Sequence, residues 1–198
     1  NDLNKLKKLK IDFVFLPKTK EIYKKNYKKI ILPKHEKKLC AKYRKGHFEG
    51  VLNVMNRLLN LIKAKYIFMG EKDFQQIFLI KKYLAKKYKI KIINCKTIRD
   101  KNKIALSTRN NLLSKKNYYK VLLITKLLFK VKKKIIFTKL ELSSYLKQII
   151  LILEKIYNIN VDYLELRNEK DLKISKLKGK FRLFAAYYID KIRLIDNF

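Results

Sequence analysis

The amino-acid sequence predicts an α/β protein, and three features of the chain carry that prediction. Tyr66–Met69 is a run of four apolar residues that ends at Gly70 and gives way to helical apolar spacing from Phe74. That is the pattern of a buried strand, a turn and a helix in a parallel sheet. Strand-like and helix-like stretches alternate on both sides of it, as they do where crossover helices join parallel strands. Beyond Ile98 the pattern changes to two helical stretches followed by three strands, a small α+β unit.

Taken in order, Asn1–Lys10 is lysine-rich with Leu3, Leu6 and Leu9 at helical spacing. It reads as the last turns of a helix and hints at an upstream segment, and it lacks the apolar core of a signal peptide. Ile11–Leu16 reads as a strand stopped by Pro17, and Lys28–Leu32 as a second short strand before Pro33. Arg44–Gly50 leads into a helix marked by Val51, Val54, Met55, Leu58, Leu59 and Ile62. At the centre, Gly70 permits a tight turn and Asp73 stands where a helix N-cap belongs. The helix from Phe74 runs through Ile77, Ile80, Tyr83 and Leu84 to about Tyr88, and Ile90–Ile93 is the next strand. After the polar loop Arg99–Lys103, Ser114 caps a helix to about Val131. Thr138 with Glu141 forms a capping-box pattern for a helix to about Tyr157. Val161–Leu166, Arg182–Tyr188 and Lys191–Ile195 complete the chain as strands. The expected division is residues 1–98 and 99–198, with a hinge near Ile98–Arg99.

Charge bounds the function. The 198 residues carry 51 Lys and Arg against 16 Asp and Glu, a formal +35. Such a balance suits a nucleic-acid binder. Yet arginine occurs only at positions 44, 57, 99, 109, 167, 182 and 193, and the lysines spread from Lys5 to Lys191. Selected nucleic-acid binding concentrates charge and favours Arg. The excess therefore reads as the mutational bias of an AT-rich genome. No apolar run reaches spanning length, because Glu154 and Lys155 cut off Ile149–Leu153. Cys40 and Cys95 make neither a disulfide framework nor, with His35 and His47, a metal-ligand spacing. The expected compartment is the cytoplasm, with reduced thiols.

Three motifs stand out. A strand ending in a glycine turn that opens a helix is where α/β folds hold phosphates, and Lys72, Gln75 and Gln76 sit at that mouth. An ordinary turn with an exposed lysine has the same sequence. Leu106-Ser107-Thr108-Arg109 offers two hydroxyls and a guanidinium suited to nucleotide phosphates, or else a polar loop with capping hydroxyls. His47, between Gly46 and Gly50, reads as a turn histidine or a substrate contact.

Together and in order, Gly46-His47-Phe48-Glu49-Gly50-Val51, Gly70-Glu71-Lys72-Asp73-Phe74-Gln75-Gln76 and Leu106-Ser107-Thr108-Arg109-Asn110 resemble the signatures of the pantothenate synthetase (pantoate–β-alanine ligase) family. Lys20–Tyr23, Tyr163–Arg167, Ala185-Ala186 and Arg193–Asn197 extend the resemblance over essentially the whole chain. It implies a Rossmann-like nucleotidyltransferase sheet, here incomplete, followed by a C-terminal α+β lid. It implies ATP-dependent ligation of pantoate and β-alanine through pantoyl adenylate, with Mg²⁺ on the triphosphate, in a homodimer. Carried over by position, Gly70, Glu71, Lys72, Asp73, Ile98 (through its backbone), Leu106, Ser107, Thr108 and Arg109 would contact ATP. Lys72, Ser107 and Arg109 would stabilise the reacting phosphates. Gln76 would hold pantoate with Gln75 beside it, and His47 and Arg44 would line the pantoate and β-alanine side.

The family's His-x-Gly-His and Asn-Pro-x-Gln-Phe motifs have no match in this sequence, and Cys40-Ala41 and Lys45 stand where the family tends to have Glu-Gly and Pro. Three expectations follow. The first is a ligase of which this is an incomplete sequence. The second is a remnant unable to adenylate alone. The third, from another class, is a basic nucleic-acid binder, for which steep salt dependence would be the mark. Missing central strands would leave apolar surface exposed.

Overall fold

The computed structural model describes residues 2–23, 28–137, 141–175, 177 and 179–198. It is a mixed α/β fold with a short parallel sheet and a C-terminal antiparallel sheet. The first half contains α1 (Asp2–Lys8), α2 (Thr19–Ile22), α3 (Cys40–Tyr43), α4 (His47–Ile62), β1 (Tyr66–Gly70), α5 (Phe74–Ile80), α6 (Lys86–Tyr88) and β2 (Lys91–Cys95). The second half contains α7 (Lys115–Phe137), α8 (Leu142–Tyr157), β3 (Asn160–Asn168), β4 (Phe181–Ile189) and β5 (Ile192–Asn197).

β1 and β2 pair in parallel, Tyr66 opposite Lys91 and Gly70 opposite Cys95. The crossover between them is one helical path from Phe74 to Tyr88, with a π-helical turn at Lys81–Ala85. In that turn the Lys82 ammonium pairs with the buried carboxylate of Glu36. Ile67, Met69 and Ile92 pack on a core built from Phe48, Leu52 and Leu59 of α4 and Phe74, Leu79 and Ile80 of α5.

β1 is not the fully buried strand its four apolar residues predict. Tyr66 and Phe68 are 56% and 71% exposed, because β1 and β2 form a two-stranded sheet whose second face no described residue covers. Ile11–Leu16 is likewise not a strand. No described strand pairs with it, and Phe13, Phe15 and Leu16 stand in solvent; apolar residues alone do not make a strand without a hydrogen-bonding partner. Lys28–Leu32 is not a strand either and pairs with no described strand. The Asn53 side chain of α4 instead accepts from the Ile30 N–H at 2.8 Å and donates to its carbonyl at 3.1 Å.

In the C-terminal half, Ser114 does cap α7, its Oγ accepting from the Asn117 N–H at 3.2 Å, but the helix continues to Phe137. For α8, Thr138 lies outside the described residues. Glu141 is itself the N-cap, accepting from the N–H groups of Ser143 and Ser144 at 3.2 and 2.5 Å.

β3, β4 and β5 form an antiparallel sheet in that order. Alternation along β4 sends Leu183, Ala185 and Tyr187 into a core with α7 and α8, while Phe184 and Ala186 join the core of the first half, as does Tyr163 of β3. The antiparallel sheet is thus the layer through which the two halves share their cores. Its last strand, β5, runs beside the loop that follows β1.

Candidate active site

The loop after β1, Glu71–Asp73, is a single 3₁₀ turn. Gly70 has φ −69°, which any residue adopts, and a Cβ added there meets nothing within 4 Å. The predicted need for glycine freedom in a tight turn is therefore not what the backbone shows; the space above Gly70 is open. Asp73 holds the N-cap position of α5, but its side chain makes no capping bond and is exposed. The Glu71 carboxylate pairs with Arg182 at 3.1 Å. The amide of Asn197 donates to the carbonyls of Glu71 and Lys72 at 2.8 and 3.1 Å. The backbone around Lys72 is thus tied to β5, while its side chain faces the cavities described next.

A second wall comes from residues 98–110. The Leu106 N–H donates to the Ile98 carbonyl at 3.0 Å, and Arg99 pairs with Ala105. This narrow hairpin delivers Ser107 to the start of a 3₁₀ turn, where its Oγ accepts from the Arg109 N–H at 3.3 Å. The Arg109 guanidinium turns toward β5 and donates to the Arg193 carbonyl at 3.0 Å. Lys72, Ser107, Arg109, Asn110 and Asp196 line one cavity. Residues from segments more than thirty positions apart therefore converge. Ile98, Leu106 and Thr108 are exposed and lie outside that lining, as do Gly70 and Glu71.

A second cavity shares Lys72 and Asp196 with the first and is lined by Arg44, His47, Asp73, Gln75 and Gln76. The Arg44 guanidinium and Nε2 of His47 lie 2.8 Å apart. A guanidinium only donates, so Nε2 accepts and the ring proton sits on Nδ1. Burial and then the Arg44 charge push the His47 pKa below its ordinary value, with Asp73 opposing. The Nε2 amide of Gln75 donates to the Lys38 carbonyl at 2.7 Å, while its Oε1 is buried and has no partner. Gln75 is thus half anchored and half available, whereas Gln76 is partly open to the cavity.

The floor of this second cavity was not legible as a site. Cys40 and Tyr163 both line it. The Tyr163 hydroxyl lies 3.0 Å from the Cys40 sulfur, and the Arg193 guanidinium reaches that sulfur at 3.5 and 3.6 Å while pairing with Asp162 at 2.7 Å. Burial and then Cys40 raise the Tyr163 pKa, so its hydroxyl stays protonated. The Arg193–Asn197 run was visible as a signature, but its role rests on partners more than eighty positions away. Among the described residues no group of three or more His, Cys, Asp or Glu is placed to hold a metal ion, and no helix is long and apolar enough to cross a membrane.

The family model described as Pantoate-beta-alanine ligase matches residues 1–198. The chain belongs to the pantoate-beta-alanine ligase family. These are the ligases of pantothenate synthesis. A pantothenate synthetase of Leptospira interrogans (strain Fiocruz L1-130) is 37% identical over 201 residues, covering 99% of this chain and 70% of the relative. One from Campylobacter hominis is 32% identical, covering 99% and 72%. Among solved structures, the Francisella tularensis pantoate-beta-alanine ligase complexed with β,γ ATP and β-alanine is 32% identical. It superposes with a TM-score of 0.72, over 100% of this chain and 68% of that one. The Thermus thermophilus pantothenate synthetase, 23% identical, shares the fold with a TM-score of 0.82, over 100% of this chain and 72% of that one.

Proposed function

We propose that this ligase joins pantoate to β-alanine in two steps at the junction of the two cavities. The observation that carries the reading is that Lys72 lines both, Ser107 and Arg109 standing on one side and Arg44, His47 and Gln76 on the other. In the first step the pantoate carboxylate attacks the α-phosphorus of ATP, forming a C–O–P linkage and expelling pyrophosphate. In the second the β-alanine amine attacks the acyl carbon, a C–N bond forms, AMP leaves and the amine loses a proton. The related ligase in complex with a β,γ ATP species and β-alanine supports both substrates.

An anion attacking an anion needs cations and donors fixed where charge gathers. Lys72 supplies the ammonium, Arg109 a guanidinium oriented by its bond to Arg193, and Ser107 a hydroxyl. The open space above Gly70 admits a phosphate close to the backbone. Glu71, Asp73, Ile98, Leu106 and Thr108 complete the ATP contacts. Gln76 holds pantoate, Gln75 offers its free Oε1 to a substrate donor, and neutral His47 with Arg44 lines the β-alanine side.

The residues present fit Mg²⁺ arriving on the nucleotide: the described residues build no three-ligand cage, and the exposed Asp73 carboxylate lies beside Lys72. Bound there, the ion would spread the charge of the phosphates. Residues 1–98 form the nucleotide and pantoate domain and residues 99–198 the lid, in a homodimer working in the cytoplasm.

The test is pantoate-dependent exchange of labelled pyrophosphate into ATP, followed by β-alanine-dependent release of AMP. Exchange without pantoate, or ADP as product, would refute the adenylate route.

A further inference from the structure

We infer that Asn197 is a positioning residue for Lys72, and that β5 serves as the gauge that spaces Lys72 from Arg109. The inference rests on the proposed roles of those two residues. Asn197 is 4% exposed, and its side chain is fully committed. Nδ2 donates to the Glu71 and Lys72 carbonyls at 2.8 and 3.1 Å, and Oδ1 accepts from Arg182 at 2.9 Å. Its backbone is held too, the carbonyl accepting from Arg99 at 3.0 Å.

The loop that carries Lys72 is one 3₁₀ turn, too short to fix itself by its own hydrogen bonds. Two carbonyls facing one point need a group with two N–H donors, and a primary amide has them. Four residues earlier on the same strand, the Arg193 carbonyl receives the Arg109 guanidinium. At about 3.3 Å of rise per residue, that puts the two anchor points roughly 13 Å apart on a single rigid element. Lys72 and Arg109 come from separate loops, yet both answer to β5. Arg182 reinforces the Lys72 end by pairing with Glu71 at 3.1 Å and lying over the Phe74 ring at 4.6 Å from its centroid.

Asn197→Asp keeps the shape and the acceptor for Arg182 but turns both donors into acceptors that repel the loop carbonyls. Asn197→Ala removes the donors without adding charge, and serves if the Asp variant does not fold. Two readouts decide. In amide hydrogen exchange of the full chain, Gly70–Phe74 should exchange at least about tenfold faster in either variant while the β3–β4 amides keep their rates. In the pyrophosphate-exchange assay, kcat should fall about 10²-fold, the scale of a misplaced catalytic group, with little change in the KM for ATP. The double variant Lys72→Ala/Asn197→Asp should be no slower than Lys72→Ala alone, because a gauge has nothing left to position.

Unchanged exchange at Gly70–Phe74, or losses that multiply in the double variant, would overturn the inference. If Lys72→Ala itself leaves the rate unchanged, the underlying site reading falls. The amide exchange then decides by itself whether Asn197 holds the loop.

Discussion

The Arg44 guanidinium donates to Nε2 of His47 across 2.8 Å, a bond that only the neutral ring can accept. Burial, followed by the Arg44 charge, lowers the His47 pKa below its ordinary 6.5. The unfolded chain therefore binds a proton at a pH where the folded one does not. His47 thus contributes stability that is complete above about pH 6.5 and is lost as pH falls from there through the lower folded value. In an NMR titration the midpoint of the His47 ring should lie below its ordinary 6.5. Arg44→Ala should move its titration upward but only part of the way, since burial is the larger cause. A ring that titrates at the same pH in both proteins would contradict the pairing.

Lys72→Ala removes the ammonium shared by the two cavities. The pantoate-dependent adenylation rate should fall by about 10²–10³, the usual cost of one preorganised charge-stabilising donor. A variant that adenylates at the parent rate would remove Lys72 from the mechanism.

Arg109 uses one arm of its guanidinium on the Arg193 carbonyl and has others for phosphate. Arg109→Lys keeps the charge but loses the fork. Affinity for ATP, read by calorimetry, should drop about tenfold or more, as expected for a lost charge-assisted bond, while β-alanine affinity stays put. Equal affinity in the two proteins would mean that charge alone matters at this position.

Ala186 is fully buried in β4 and faces the core shared with the first half. Ala186→Leu should cost about 1–3 kcal/mol by overpacking, seen as a lower denaturant midpoint. The exposed Ile62→Ala on α4 should stay within about 0.5 kcal/mol. Should the two variants unfold alike, the shared core is less tightly packed than described.

Local pattern carried most of the elements. The stripe from Val51 to Ile62 and the strand-turn-helix from Tyr66 to Tyr88 were readable because their periodicity lies within one element. Ile11–Leu16 misled because a strand is defined by its partner, which a run of apolar residues does not contain. The burial of β1 misled for a related reason: Phe68 looks like a core residue, yet no described residue covers its face of the sheet. Within the candidate site, Lys72, Ser107 and Arg109 were legible as chemistry in recognisable loops, and Gln76 in the first turn of the helix that follows one. Asn197 and Arg193 were legible only as letters in a signature, since what they hold lies 125 and 84 positions away. Cys40 was noted as a departure, and only the fold brings its sulfur to Tyr163 and Arg193.

With the outer face of β1 covered by no described residue, the ionic strength of the buffer takes an unusual part in the behaviour of these 198 residues. Tyr66 and Phe68 stand in water, as do Phe13 and Phe15 of the preceding segment, on a chain carrying a formal +35. In dilute buffer the like charge of two copies is felt over about 30 Å and holds those faces apart; at about 0.1 M that reach shrinks to about 10 Å. Added salt then withdraws the repulsion without weakening the attraction between rings, and the chains cluster. Colloidal stability should therefore decline as salt rises, so that dilute buffer, and not the customary added salt, keeps the molecules dispersed.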